Sequence, residues 1–336
     1  MTMPVATSPF ERKEAVLIVN PAAHNVPPLK RRREAEEWLR ETGWRFRWEQ
    51  TSQAGQATSI AARVAREGVP LVIACGGDGT LNEAANGLAG TETALGMMPF
   101  GTSNIWARET GISREPLEAA QLMATGERKL IDLGKAGDRY FVLFAGYGID
   151  AQITRNVSLG VKQRVGAAAY GISAFREALR WQSRPMTLRL DGVQQRLNVL
   201  MAFAGNTRLY AGITKITPRA VADDGLLDIC IYQGKGKRDI VTHATRTLLQ
   251  MHRKSPSVLY KRVKSLEFEW DNEPLPVQLD GDPLGYCPDR VEVAPGALWV
   301  VVPAGLRSTL FSGRATEESV ARRQAGALSL TQQQTG

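Results

Sequence analysis

The residues with the most chemical content are Gly76-Gly77-Asp78-Gly79-Thr80. Three glycines let a backbone approach a phosphate without a Cβ in the way, and Thr80 adds a hydroxyl donor. Asp78 repels bare phosphate. A carboxylate here suits a site where Mg2+ lies between the two, or where it binds a ribose or substrate hydroxyl. Taken alone, Gly-Asp-Gly reads more simply as a tight turn with an Asx hydrogen bond. Two further polar clusters accompany it, Asn20-Pro21 and Gly101-Thr102-Ser103-Asn104.

Each cluster follows a short apolar run: Ala15–Val19, Leu71–Cys75 and Leu95–Pro99. Continuous apolar runs of this length suit parallel strands covered on both faces. Between them lie helical stretches at Lys30–Thr42, Ala57–Glu67, Leu81–Leu88 and Pro116–Thr125, most ending at or near a glycine. Trp44–Gln50 alternates like a strand. Alternating strand and helix predicts an α/β domain with an open, mainly parallel sheet. In such a sheet the loops at strand carboxyl ends converge, so Asn20, Asp78, Thr80, Thr102 and Asn104 are expected to line one site.

From about Arg139 the pattern becomes strand-rich. Strands are expected at Tyr140–Ala145, Met186–Leu190, Leu197–Ala204, Leu226–Tyr232, Val263–Trp270, Val277–Leu279, Arg290–Val293 and Leu298–Val302. Asp191-Gly192 signals a hairpin, and the whole suggests a β-sandwich-like second domain. Helices are expected at Gln163–Trp181 and from Arg238 to about His252. On the first, Val165, Ala168, Ile172, Phe175 and Leu179 share a face, as core packing or as a lipid-facing groove. The expected division is a loose tail over 1–13, an α/β nucleotide-binding domain over 14–135, a β-rich acceptor domain over 136–311, and a polar tail over 312–336.

The chain has 336 residues and a formal net charge of +8. Basic clusters at Lys30–Arg33, Lys235–Arg238 and Lys261–Lys264 are solvated faces or contacts to something anionic. Without an aromatic-basic module, nucleic acid is not an expected partner. Three scattered cysteines and three histidines, with no CxxC pair, argue against a disulfide framework or a zinc site. Met1–Glu14 lacks a sustained apolar core, and no run approaches the ~20 apolar residues of a spanning helix. A cytoplasmic protein is expected. There is no G-x-x-x-x-G-K-[ST] and no protein-kinase motif set, so another phosphate-binding scheme is needed.

Taken in order, the motifs resemble the catalytic domain of the diacylglycerol kinase family, which includes sphingosine kinases, ceramide kinases and soluble bacterial lipid kinases. The matching pieces are Asn20-Pro21, Gly76 through Glu83, Pro99-x-Gly101-Thr102-x-Asn104 and Ile131-Asp132-Leu133-Gly134. They continue with Gly146-Tyr147-Gly148-Ile149-Asp150-Ala151, Pro218-x-Ala220 with Asp223 through Asp228, and Leu279-Asp280-Gly281-Asp282-Pro283. The resemblance implies an ATP-dependent phosphotransferase acting on a lipid hydroxyl, with an α/β nucleotide-binding domain and a larger β-sandwich domain.

Carried over by position, Asn20, Thr51, Gly76, Gly77, Asp78, Gly79, Thr80, Asn82, Glu83, Gly101, Thr102 and Asn104 would bind the nucleotide. Asp132 would join a carboxylate network near the metal, and Asp224 with the carbonyls of Val221 and Leu226 would match a Mg2+ site. Asp282 stands where the family has a Glu as proton acceptor, a duty Asp280 could share; Asp78, Asp132 and Asp282 are the catalytic candidates. The chain departs from the family pattern at Ala22–Asn25, which brings no lysine, and at Ile105, where an Asp is common. Losing both charges reads as a compensated pair. The implied partners are a lipid alcohol and, transiently, an anionic membrane surface at the inner face, with a homodimer left open. Two other readings stay in play: an NAD kinase-like phosphotransferase on a soluble acceptor, and a non-catalytic nucleotide or lipid sensor.

Overall fold

The computed structural model describes residues 8–23, 25–156, 181–271, 273–286, 288–306 and 308–313. The chain divides into two compact units, Met1–Leu133 with Ala222–Asp224 and Ala294–Gly336, and Gly134–Val221 with Gly225–Val293.

The first unit alternates β1 (Glu14–Val19), α1 (Leu29–Glu41), β2 (Arg45–Gln50), α2 (Gln56–Arg66), β3 (Leu71–Gly76), α3 (Asp78–Leu88) and β4 (Ala94–Pro99). Two helices, α4 (Ile105–Thr110) and α5 (Pro116–Thr125), then precede β5 (Glu127–Ala136). The strands pair in parallel in the order β2-β1-β3-β4. β3 and β4 are buried along their whole length, as their unbroken apolar runs require. Right-handed crossovers in this order put α2 and α3 on one face, where they pack together, and α1 on the other, where α5 packs against it. This edge order sends the ends of β1, β3 and β4 to one side, as expected. α4 and β5 were not foreseen; six residues are too few for a periodicity, and Glu127-Arg128-Lys129 masks the start of the strand.

The second unit holds β6 (Arg139–Phe141), β7 (Phe144–Gly148), α6 (Ile149–Asn156), β8 (Arg184–Leu190), β9 (Val193–Gly205), and the short β10 (Leu209–Tyr210) and β11 (Thr214–Lys215). It continues through β12 (Leu227–Gln233), α7 (Lys237–Leu248), β13 (Val258–Val263), β14 (Ser265–Trp270), β15 (Pro276–Leu279), β16 (Asp282–Tyr286) and β17 (Arg290–Val302). β9 is the organising strand. Its first half pairs with β8, and its second half pairs with both β7 and β12. These pairings are antiparallel and enclose a core that includes Phe141, Tyr147, Leu188, Ile229, Leu266 and Val277. The architecture is a β-sandwich-like unit. Asp191 (φ 48) and Gly192 (φ 81) form the β8–β9 turn, the left-handed pair that a two-residue hairpin needs.

Several expectations change. The strand expected over Tyr140–Ala145 is broken at Val142-Leu143. Arg290–Val293 and Leu298–Val302 are one strand, β17; Val300 pairs in parallel with Leu95, so the segment from Ala294 returns to the first unit. Ala222–Asp224 belongs there too. The helix expected at Gln163–Trp181 lies outside the described residues, Trp181 excepted. Within the expected N-terminal tail, residues 1–7 also lie outside; Phe10 is buried edge-on against Trp44, with Arg128 over its ring. In the C-terminal tail, residues 314–336 lie outside, and Ser312 N–H donates to Asp223. Cys75 and Cys230 are buried free thiols, as composition suggested.

Candidate phosphate-binding and transfer site

In the first unit the three loops are tied directly to one another. Asn20 Nδ2 donates to Thr80 Oγ1 at 3.4 Å, and Asn20 N–H donates to Cys75 O at 3.1 Å. Phe100 N–H and Gly101 N–H both reach Gly76 O, at 2.8 and 3.2 Å. Asn104, buried and left-handed at φ 45, accepts Gly101 N–H and donates to Pro99 O and Gly101 O. The glycines are needed for this approach. A Cβ on Gly101 would stand 2.5 Å from Gly77 Cα, and one on Gly76 would stand 2.4 Å from Thr80 Oγ1. A Cβ on Gly79 would meet nothing within 4 Å.

Asp78 opens α3, so the expected loop is partly the first helical turn, and no side chain caps that turn. The Asp78 carboxylate reaches α4, accepting Ile105 N–H at 3.0 Å and Trp106 N–H at 3.2 Å. Burial raises its pKa, and those two amides oppose the rise. Thr102 is exposed beside this helix start. Thr51 lies buried at the end of β2, with its hydroxyl on Val19 O.

One of the predicted nucleotide residues, Glu83, is turned to a neighbouring helix. The Glu83 carboxylate accepts Ala57 N–H at 3.1 Å, which caps α2. Asn82 is buried and accepts from Asn86 Nδ2. Asp132 is buried too, with Oδ1 on Gly296 N–H at 2.8 Å. Asp223 is committed to Ser312 N–H at 2.6 Å. Sequence reasoning missed Asn25 and Arg114, whose side chains both donate to Gly101 O, at 3.0 and 3.2 Å. Asn25 lies in the segment that departs from the family pattern and Arg114 in no motif, so neither was marked as a site residue.

In the second unit, Asp280 (φ 49) and Gly281 (φ 93) form the two-residue turn between β15 and β16. The Asp280 carboxylate accepts Val142, Leu143 and Phe144 N–H at 2.7, 2.9 and 2.7 Å. It fills the break between β6 and β7, a structural duty rather than the proton-acceptor duty considered for it. Asp282, half-buried, is the first residue of β16. Behind the turn, Gly281 N–H donates to Gln278 Oε1 at 2.6 Å, and Gln278 Nε2 donates to Asp150 Oδ2 at 2.8 Å. Tyr210 OH donates to the other Asp150 oxygen. Burial pushes Asp150 up to about 6.

Two family models match this chain. Residues 14–136 match the diacylglycerol kinase catalytic domain, and residues 144–302 match the YegS C-terminal NAD kinase beta sandwich-like domain. A protein from Chromohalobacter salexigens named a probable lipid kinase, YegS-like, is 31% identical over 293 residues, 86% of this chain and 93% of that protein. The chain belongs to the diacylglycerol kinase catalytic-domain family. A Staphylococcus aureus protein named diacylglycerol kinase is 29% identical over 82% of this chain and 88% of its own length. The crystal structure of a diacylglycerol kinase from Bacillus anthracis superposes with a TM-score of 0.72 at 26% identity, covering 87% of this chain and 98% of that one. Against the family pattern noted above, Ile105 brings no acid, and its N–H is one of the two donors that hold Asp78. Asn25, in the other departing segment, ties the first loop to the third.

Proposed function

We propose that the protein is an ATP-dependent lipid kinase that transfers the γ-phosphate to a hydroxyl of diacylglycerol, a sphingoid base or a related lipid alcohol. The observation that carries this reading is the uncapped start of α3, with open space above Gly79. Amides and dipole at such an end favour phosphate. The Asp78 charge, which would oppose it, is turned onto the α4 amides. Asn20, Thr80 and Thr102 supply polar side chains around that end, and Gly77, Gly101 and Asn104 hold the loops close enough to form it.

Asp282 takes the proton of the attacking hydroxyl, a role worth about 10²–10⁴-fold in rate. Asp78 and Asp132 act as positioning groups through their backbone partners. For magnesium, Asp224 with the carbonyls of Val221 and Leu226 is an oxygen-only set of the kind a hard divalent cation takes. Asp223 is not part of it, because its carboxylate is committed to Ser312. When bound, the ion neutralises charge on the phosphates. No helix among the described residues is long and apolar enough to cross a membrane. With a membrane lipid as acceptor, the enzyme would work as a peripheral protein at the inner face of a membrane.

The test is transfer from radiolabelled ATP with Mg2+ to mixed lipid alcohols in detergent micelles, with NAD also supplied, followed by organic extraction. Label in the organic phase is expected, with Asp282→Asn lowering kcat and leaving ATP affinity near wild type. Label found only in NADP would replace the reading with a soluble-acceptor kinase. Nucleotide binding without turnover on any lipid would replace it with a sensor.

A further inference from the structure

Four of the large apolar side chains exposed in the second unit come from two adjoining segments: Ile213 (75% exposed), Leu248 (64%), Leu249 (63%) and Met251 (48%). The β10–β11 turn is fastened to the end of α7. Thr214 Oγ1 donates to Thr247 O at 2.9 Å, and Gln250 Nε2 donates to Thr214 Oγ1 at 2.5 Å. Met251 N–H then closes back onto Arg246 O at 2.7 Å. Ile213 is thereby held beside the leucines on a braced knob, not on a loose loop. Val241, 43% exposed and seven residues before Leu248, extends the same helix face.

Along the chain, the two segments that form the knob carry charge of one sign. Between Arg208 and Ala220, and between Ile240 and Val258, there is no Asp or Glu, while Lys215, Arg246, Arg253 and Lys254 fall in these stretches. Lys215 and Lys254 are exposed; Arg253 lies over the Tyr260 ring and interacts with the Asp228 carboxylate. None of the basic clusters noticed in the sequence includes them; separate segments bring these cations together.

We propose that this knob is a membrane-docking surface: Ile213, Leu248, Leu249 and Met251 enter the headgroup–acyl boundary while the basic collar meets anionic phospholipid headgroups. Apolar side chains ringed by Lys and Arg suit that interface, because the long cations keep their heads at the charged layer as their stems follow the apolar tips inward. A second copy of the chain fits less well. A stable dimer buries about 1,200–2,000 Å², far more than a few side chains supply, and across a twofold axis the collar would face its own charge. The inference deepens the lipid-kinase reading, which it rests on only in that the acceptor lies in a bilayer.

Cosedimentation of the full chain with vesicles of phosphatidylcholine, with and without phosphatidylglycerol, tests it without any acceptor present. Wild type should bind, more strongly with phosphatidylglycerol and less so as salt rises. The triple variant Ile213→Ser, Leu248→Asn, Leu249→Asn should lose at least about tenfold in partitioning to both vesicles, since each methylene kept from the interface lowers it. The variant Lys215→Gln, Arg246→Gln, Lys254→Gln should bind both vesicle types equally. Transfer to a micelle-dispersed acceptor should stay at the wild-type level in both variants, and its absence in wild type would count against the kinase reading rather than the surface. Wild type left in the supernatant, or variants binding like wild type, would overturn the surface. So would light scattering that shows a wild-type dimer made monomeric by the apolar variant, which would assign the knob to a second copy.

Discussion

Replacing Asp280 with alanine strips three backbone N–H groups of their shared acceptor at once. The bonds from Val142, Leu143 and Phe144 measure 2.7, 2.9 and 2.7 Å, and those residues are 1%, 2% and 3% exposed. A buried donor left unmet costs about 1–3 kcal/mol, so three bound the loss at about 3–9 kcal/mol. Asp280 is only half-buried, so water reaches part of the gap, and the expected loss is about 3–4 kcal/mol. Alanine held at φ 49 adds about 1 kcal/mol. Together these remove a large part of the about 5–15 kcal/mol that holds a typical domain. Asn tolerates the left-handed backbone and keeps one acceptor oxygen, so Asp280→Asn should cost about 1–2 kcal/mol. Asp280→Gly, which relieves the backbone and restores no acceptor, should fall between them. Urea midpoints give the ranking. Amide exchange of a peptide spanning 139–148 locates the loss, and transfer activity is read on the same samples while folded. If Asp280→Ala kept the wild-type midpoint and amide protection but lost transfer, the carboxylate would serve the reaction, and the reasoning from its three amides would be refuted.

Two glycines of the first unit should respond in opposite senses. Gly79→Ala meets open space and should stabilise the free protein by about 0.5 kcal/mol, yet weaken ATP binding; unchanged ATP affinity would remove the α3 start as the phosphate cradle. Gly101→Ala forces Gly77 and Asn104 away and should cost about 1–3 kcal/mol while raising KM for ATP, measured by urea unfolding and kinetics. Asp78→Ala removes both acceptors at the start of α4 and should cost about 1 kcal/mol as well as ATP affinity; a loss of kcat alone, with stability and KM unchanged, would give it a chemical role instead. For Asp150, burial raises the folded carboxyl to about 6, so the folded state holds the proton more tightly than the unfolded chain. Its contribution is therefore complete below the unfolded carboxyl range and is lost as pH rises through about 6, by up to about 3 kcal/mol. Asp150→Asn should flatten that part of the urea-midpoint profile relative to wild type, and a variant as pH-dependent as wild type would show that Asp150 does not carry the effect.

The first unit was legible because each of its signals is local. Apolar runs as short as Ala15–Val19 identify buried strands, glycines end the helices between them, and a parallel sheet sends its loops to one edge whatever the side chains do. That logic alone gathered Asn20, Thr80 and Asn104, and hydrogen bonds join the loops that carry them. The same logic could not assign Glu83, which shares a helix with Asp78 but faces α2, because helix phase against a neighbour is set by packing. Nor could it find Asn25 or Arg114, which meet Gly101 from 76 and 13 residues away in the chain.

The second unit was harder for a related reason. Antiparallel strands can pair with partners far away in the chain, and β9 serves β7, β8 and β12 at once. By itself the sequence determined the two fold classes, the family-like order of motifs, and the hairpin turn at Asp191-Gly192, all of which depend on neighbours within a few residues. Only the tertiary structure decided what the carboxylates do. Asp78 and Asp280 are the same residue type beside the same glycine, yet one holds the start of a helix and the other closes a broken strand. A carboxylate's role follows from which N–H groups surround it, and those arrive from segments 27 to 138 residues away.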